Sequence, residues 1–126
     1  MQIHPNDSIQ QVQDRFQAIF PLLQLRFYRL GHQLRASSDQ RDEIIDSKRQ
    51  LSSINAHFEA CEIRVDAQTK AGELEMEFAR LLGLYVQVVR KAGKEWIQTT
   101  NTDEWTLQRQ QEVAAQTEEF YQNIRR

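Results

Sequence analysis

The spacing of apolar side chains changes period between residues 73 and 100. Leu74, Phe78, Leu81 and Leu82, flanked by Met76 and Ala79, recur at intervals of three and four, which places most of them on one stripe of an α-helix. Gly83 follows where a helix end favours a residue that tolerates positive φ. The period then drops to two: Leu84, Val86 and Val88 alternate with Tyr85, Gln87 and Val89, as in a half-buried strand. Residues 90–95 supply a turn, and residues 96–100 a second strand rich in aromatic and β-branched side chains. With Ala92-Gly93 as a two-residue loop, Lys91 faces Lys94, Arg90 faces Glu95, Val89 faces Trp96 and Val88 faces Ile97. One face of this hairpin then carries Val86, Val88, Ile97 and Thr99. The other carries Tyr85, Gln87, Val89, Trp96 and Gln98, and is far from uniformly polar.

Earlier in the chain, residues 3–5 read as a short extended lead-in. Asp7 with Gln10, or Ser8 with Gln11, fits a capping box, and Ile9, Val12, Phe16, Ile19 and Phe20 form the stripe of a helix ending at Pro21. A strand over 22–30 follows, with Leu23, Leu25 and Phe27 on one face and Gln24, Arg26 and Tyr28 on the other. This helix–strand unit (7–30) parallels the later one (69–91), a weak pseudo-repeat that needs no common ancestry. Residues 31–38 read as a loop, and Ser37 with Gln40 would open a helix over 39–55 whose apolar stripe is thin. Cys61, Ile63 and Val65 alternate with polar neighbours to make a strand over 61–66. If that strand and the one at 84–91 pair in parallel, the crossover between them is right-handed. Thr102 or Asp103 is the expected cap of a long last helix carrying Leu107, Val113, Ala114, Phe120, Tyr121 and Ile124.

The fold expected is therefore α+β, in a single domain spanning residues 1–126. It has a four-stranded mixed sheet (22–30, 61–66, 84–91, 94–100), helices mainly on one face and a long C-terminal helix. Its expected core joins Leu23, Leu25, Phe27, Ile63, Val65, Val86, Val88 and Ile97 to Phe16, Phe20, Leu74, Phe78 and Leu82.

Composition narrows the function classes. At 126 residues, with 40% apolar and 27% charged positions, the chain can bury a core without help. A net charge of −2 is low for a protein that holds nucleic acid through its phosphates. No stretch reaches the length of a membrane span, the first residues lack signal-peptide character, and the single Cys61 cannot form an internal disulfide, so a cytoplasmic setting is expected.

The run from Gly83 to Leu107, GLYVQVVRKAGKEWIQTTNTDEWTL, resembles a family of small uncharacterised bacterial proteins. Their core reads F-x-x-x-x-G-L-x-V-Q-V-x-R-K-x-G-x-x-W-x-x-T, followed by T-D-x-W-T-L-x-x-Q. Phe78, Gln87, Arg90, Lys91, Gly93, Trp96, Thr99, Thr102, Asp103, Trp105, Thr106 and Leu107 occupy its positions. The resemblance implies a fold; it brings no activity and no catalytic residue.

Candidate chemistry is sparse. His57 and Cys61 have ligand-like spacing, but Cys61 opens a strand and His4 and His32 are isolated, so an incidental or structural role outweighs a metal site. The run Glu73, Glu75, Glu77 reads as a solvated helix face. Ser37, Ser38, Ser52 and Ser53 lack a nucleophile elbow, no glycine-rich phosphate loop is present, and Asp103 reads as a helix cap. An enzyme would need distant groups such as Asp103, His57 and Arg64 to converge. No catalytic, metal or cofactor residue is assigned. What remains is a candidate partner surface of Arg26, Tyr28, Arg64, Tyr85, Gln87, Val89, Trp96 and Gln98 on the outward sheet face. The last helix could cover it, a second copy could pack there, or single-stranded nucleic acid could stack on its rings. The reading preferred is a non-enzymatic interaction module, a homodimer or a binder of another protein, joined through this face and the C-terminal helix. The alternatives are single-stranded nucleic-acid binding on the sheet face, or a small enzyme whose site the sequence does not show.

Overall fold

A computed structural model describes residues 1–29, 42–55 and 57–124. The expected loop at 31–38, the Ser37–Gln40 cap, His32, and the first residues of the helix expected at 39–55 lie outside these. The elements are β1 (Gln2–Ile3), α1 (Ile9–Ile19), β2 (Leu23–Tyr28), β3 (Cys61–Glu62), α2 (Ala71–Glu77), β4 (Tyr85–Ala92), β5 (Glu95–Gln98) and α3 (Leu107–Ile124).

Helix α1 begins where its sequence says it should. Ser8 Oγ accepts from the Gln11 amide at 3.1 Å and the Gln11 side chain accepts from the Ser8 amide at 2.8 Å, a complete capping box. The helix ends before Pro21, whose ring cannot continue it. Asp7, just outside the cap, is buried and takes a two-pronged ion pair from Arg15 at 2.6 and 2.8 Å. Helix α2 passes into a π-helical turn, Phe78–Leu82, and stops at Gly83 with φ 61°, the left-handed conformation glycine adopts without a Cβ penalty.

The mixed α+β character stands, but the sheet divides in two. Strands β2, β4 and β5 form a three-stranded antiparallel sheet in that order, and β1 pairs with β3 in a separate antiparallel ribbon. The expected four-stranded mixed sheet is thus corrected, and with it the parallel β–α–β crossover. The strand expected at 61–66 is two residues long and bonds to the N-terminal lead-in, because Gln2 and Ile3 offer it a free edge. The helix expected at 39–55 is also corrected for residues 42–55. Ile44 donates to Phe27 O at 2.8 Å and Arg29 to Asp42 O at 2.9 Å, so this segment runs beside the end of β2. Only one short 3-10 turn, Leu51–Ser53, follows. A thin apolar stripe gave a helix little to bury, and backbone bonds to β2 satisfied the segment instead.

In the β4–β5 hairpin the loop is Gly93-Lys94, with Gly93 at φ 67°. Pairing is therefore Val89 with Gln98, Arg90 with Ile97, Lys91 with Trp96 and Ala92 with Glu95, each partner two residues further along than expected. Sliding both loop positions by one moves each partner by two, so every side chain keeps its predicted face.

One contiguous core joins α1, α2 and the inward face of the three-stranded sheet. It contains Phe16, Phe20, Leu23, Leu25, Phe27, Ile63, Leu74, Phe78, Leu82, Val86 and Val88, with Phe27 and Phe78 edge-to-face at 6.0 Å between centroids. Val65 packs at its margin. Ile97, expected inside, is exposed; it pairs with Arg90, whose side chain reaches Gln110 of α3 and not the apolar core.

Candidate functional site

The segment 99–108, which carries the T-D-x-W-T-L motif, docks on the start of α2 through backbone groups. Ala71 donates to Trp105 O at 3.1 Å and Gly72 to Asp103 O at 2.8 Å. In return Leu107 donates to Thr69 O at 2.7 Å and Gln108 to Ala67 O at 3.2 Å. Lys70 and Thr106 form the antiparallel bridge between them. Two helix starts thereby satisfy each other's unpaired amide donors, which explains why Lys70, the N-cap of α2, makes no side-chain cap. Asp103 was expected to cap α3. It lies instead at the end of a 3-10 turn, Thr100–Thr102, and the helix begins at Leu107 with Thr106 Oγ1 accepting from the Arg109 amide at 3.1 Å.

Behind this joint sits a buried polar cluster: Glu75 (5% exposed), Gln87 (3%), Thr99 (2%) and Asp103 (8%). One Glu75 oxygen accepts from the Val88 amide at 3.0 Å. Strand β5 ends at Gln98, so this carboxylate takes the place of the next strand acceptor, while Val88 O receives the amide and the hydroxyl of Thr99 at 3.2 and 3.0 Å. The Gln87 side chain also bonds Glu75, and its Oε1 accepts from the Thr100 hydroxyl at 3.2 Å. Burial, with the nearby Asp103 carboxylate, pushes Glu75 up to about 7 against the hydrogen bonds from Val88 and Gln87. The reading of Glu73, Glu75 and Glu77 as one solvated face fails for Glu75. A missed signal was available: Ala71, Leu74, Glu75, Phe78 and Leu82 fall at three-and-four spacing, so Glu75 sits within the apolar stripe.

The residues of the predicted partner surface have several fates. Tyr28 (2% exposed) and Val89 (0%) are buried but outside the contiguous core, and Gln87 belongs to the polar cluster. Arg26 and Gln98 are half-buried, with Gln98 Nε2 3.5 Å from the Tyr28 hydroxyl. Burial is the main reason the Tyr28 phenol is held above its ordinary value. Trp96 is half-buried and Tyr85 lies at the exposed rim. Arg64 stands outside the three-stranded sheet, exposed and paired with Asp66 at 2.6 Å, because its segment follows β3. A base-stacking platform needs open ring faces, and Tyr28 offers none.

Helix α3 leads to the more exposed apolar surface. It is anchored by Leu107, Gln110 and Ala114, all buried. Gln110 accepts from Arg90 at 2.6 Å and donates to Thr102 O at 2.7 Å, while Gln111 accepts from the Leu22 amide at 2.9 Å. Two guanidinium groups approach the Trp105 ring, Arg90 at 5.6 Å and Arg109 at 5.1 Å from its centre. Further along, Tyr121 rests on the hairpin tip, where a β-carbon on Gly93 would come within 3.1 Å of its ring. Beside this contact is a groove of about 390 Å³ bordered by Lys91, Gly93, Lys94, Glu118, Tyr121 and Gln122. The last turns carry Phe120 and Ile124, each 61% exposed.

Asp103, His57 and Arg64 are not a catalytic set: Asp103 is buried against α2, His57 is exposed on the loop before β3, and Arg64 is engaged by Asp66. Among the described residues no three His, Cys, Asp or Glu side chains gather as metal ligands, and no helix is long and apolar enough to cross a membrane. Comparison with protein-family models, curated proteins and solved structures returned no match.

Proposed function

We propose that this chain is a non-enzymatic interaction module that self-associates as a homodimer through the distal turns of α3. The observation that carries the reading is the exposure of Phe120 and Ile124, 61% each, at the end of a helix whose root is firmly docked. A ridge of this kind beside a groove on the same molecule suits a two-fold contact, in which each copy lends the ridge and receives its partner's. Lys91 of the groove already pairs with Glu118 of α3 at 3.7 Å, so Lys94 and Glu119 are the charges offered for matching across such an axis. Of the outward sheet face, the exposed rim at Tyr85 and the half-buried Trp96 are the parts left to extend the contact.

Sedimentation at micromolar concentration tests it, with Phe120→Glu and Ile124→Glu as variants. A dimer that either variant converts to a folded monomer supports the reading. A wild type that stays monomeric, or a dimer indifferent to both changes, removes it.

A further inference from the structure

The buried polar cluster has a consequence independent of self-association. We propose that Glu75 is a proton-operated latch that holds α2 and β4 against the segment rooting α3, closed while its carboxyl is neutral and loosened when it ionises. Three elements meet at this side chain. It grows from α2, it accepts the Val88 amide of β4 at 3.0 Å, and it faces Asp103 on the segment that leads into α3. Asp103 is itself fixed from behind, since its carbonyl accepts from Gly72 at 2.8 Å and a β-carbon at Gly72 would come within 3.3 Å of its carboxyl.

The groups facing Glu75 divide by sign. From β4 come the Val88 amide and the Gln87 side chain, both of which favour the charged form. From the 99–108 segment comes the Asp103 carboxylate, which opposes it, and from β2 the Tyr28 phenol feels the Glu75 charge. Burial is the larger cost of ionisation. Of these facing groups Asp103 adds to it while Val88 and Gln87 offset it, so the strain falls on the Asp103 side rather than the β4 side. Release should appear in the amides of Ala71, Gly72 and Leu107, with Val88 holding its bond. Titration at about 7 puts the change within the physiological range.

Hydrogen exchange read by NMR tests this on the full chain, alongside the carbon shift of the Glu75 carboxyl. Protection factors at Gly72 and Leu107, corrected for intrinsic exchange, should fall roughly tenfold as the carboxyl titrates, the scale of a coupling worth one pKa unit. Val88 protection should hold. Glu75→Gln should abolish the pH dependence. Should that variant fail to fold, Asp103→Asn provides a second arm, lowering the Glu75 midpoint and shrinking the response. Protection at Gly72 and Leu107 that ignores pH, a Glu75 midpoint in the ordinary carboxylate range, or a response unchanged by Asp103→Asn would each overturn the proposal.

Discussion

Gly72 and Asp103 are packed so closely that a β-carbon on the glycine would lie 3.2 Å from the aspartate carbonyl oxygen and 3.3 Å from its carboxyl. Gly72 is helical, and Gly→Ala at an open helical site would gain up to about 1 kcal/mol. Here Asp103 is buried and held by the Gly72 amide, so it cannot yield cheaply. Overpacking costs roughly 1–3 kcal/mol, and it should win. Gly72→Ala is expected to lower stability by about 1 kcal/mol in denaturant titration; a gain would mean that the segment shifts freely.

Glu75 should leave its mark on stability against pH. Its folded value, about 7, lies above the unfolded reference of 4.5, so the native state binds the extra proton between these values. Stability from this group is complete below about pH 4.5 and is lost as pH rises through about 7, a difference on the order of 3 kcal/mol. Glu75→Gln keeps an acceptor for Val88 without the charge. Urea midpoints at pH 5 and pH 8 should differ less in this variant than in wild type, with the variant the more stable at pH 8.

Asp7 works in the opposite direction. The Arg15 hydrogen bond holds its carboxyl below the usual range, against a smaller desolvation effect. Its contribution is present above the unfolded value of 3.8 and is lost as pH falls through the lower folded value. Arg15 is more than a third exposed, so solvent screens the pair and Asp7→Asn should cost only roughly 1–2 kcal/mol at neutral pH. Thermal melts of the variant should lose part of the acid-side sensitivity below pH 4.

Phe78 is fully buried at the start of the π turn and meets Phe27 edge-to-face at 6.0 Å. Phe78→Ala should remove about 3–5 kcal/mol, enough to unfold a marginal domain. Phe78→Leu should retain most of the fold by circular dichroism. Equal damage from both would point to the ring edge contact instead of volume.

What the sequence revealed was local. The Ser8–Gln11 box, the halt at Pro21, the alternation of Leu23, Leu25 and Phe27, and the left-handed stop at Gly83 each depend on residues a few positions apart. Partners far along the chain were hidden. Nothing in CEI announces that Cys61 and Glu62 would pair with Gln2 and Ile3 instead of joining the main sheet. The hairpin loop moved by one position, and the pairing by two, because both Ala92-Gly93 and Gly93-Lys94 contain the needed glycine, whose positive φ serves the first loop position. In the candidate site, counting faces placed Tyr28 and Val89 correctly but could not say that they would be buried. The distal apolar turn of α3 was visible in composition; its exposure required the helix root to be located first.

The reciprocal bonding of residues 67–72 with 103–108 makes the two ends of that joint obligate companions. Cutting the chain after β5 would delete more than a helix: it would also strip the amide acceptors from the beginning of α2 and open Glu75 to water. Loss of association in such a fragment would therefore say little about where a partner binds. Point changes on the far turns of α3 probe contact, whereas shortened chains probe folding.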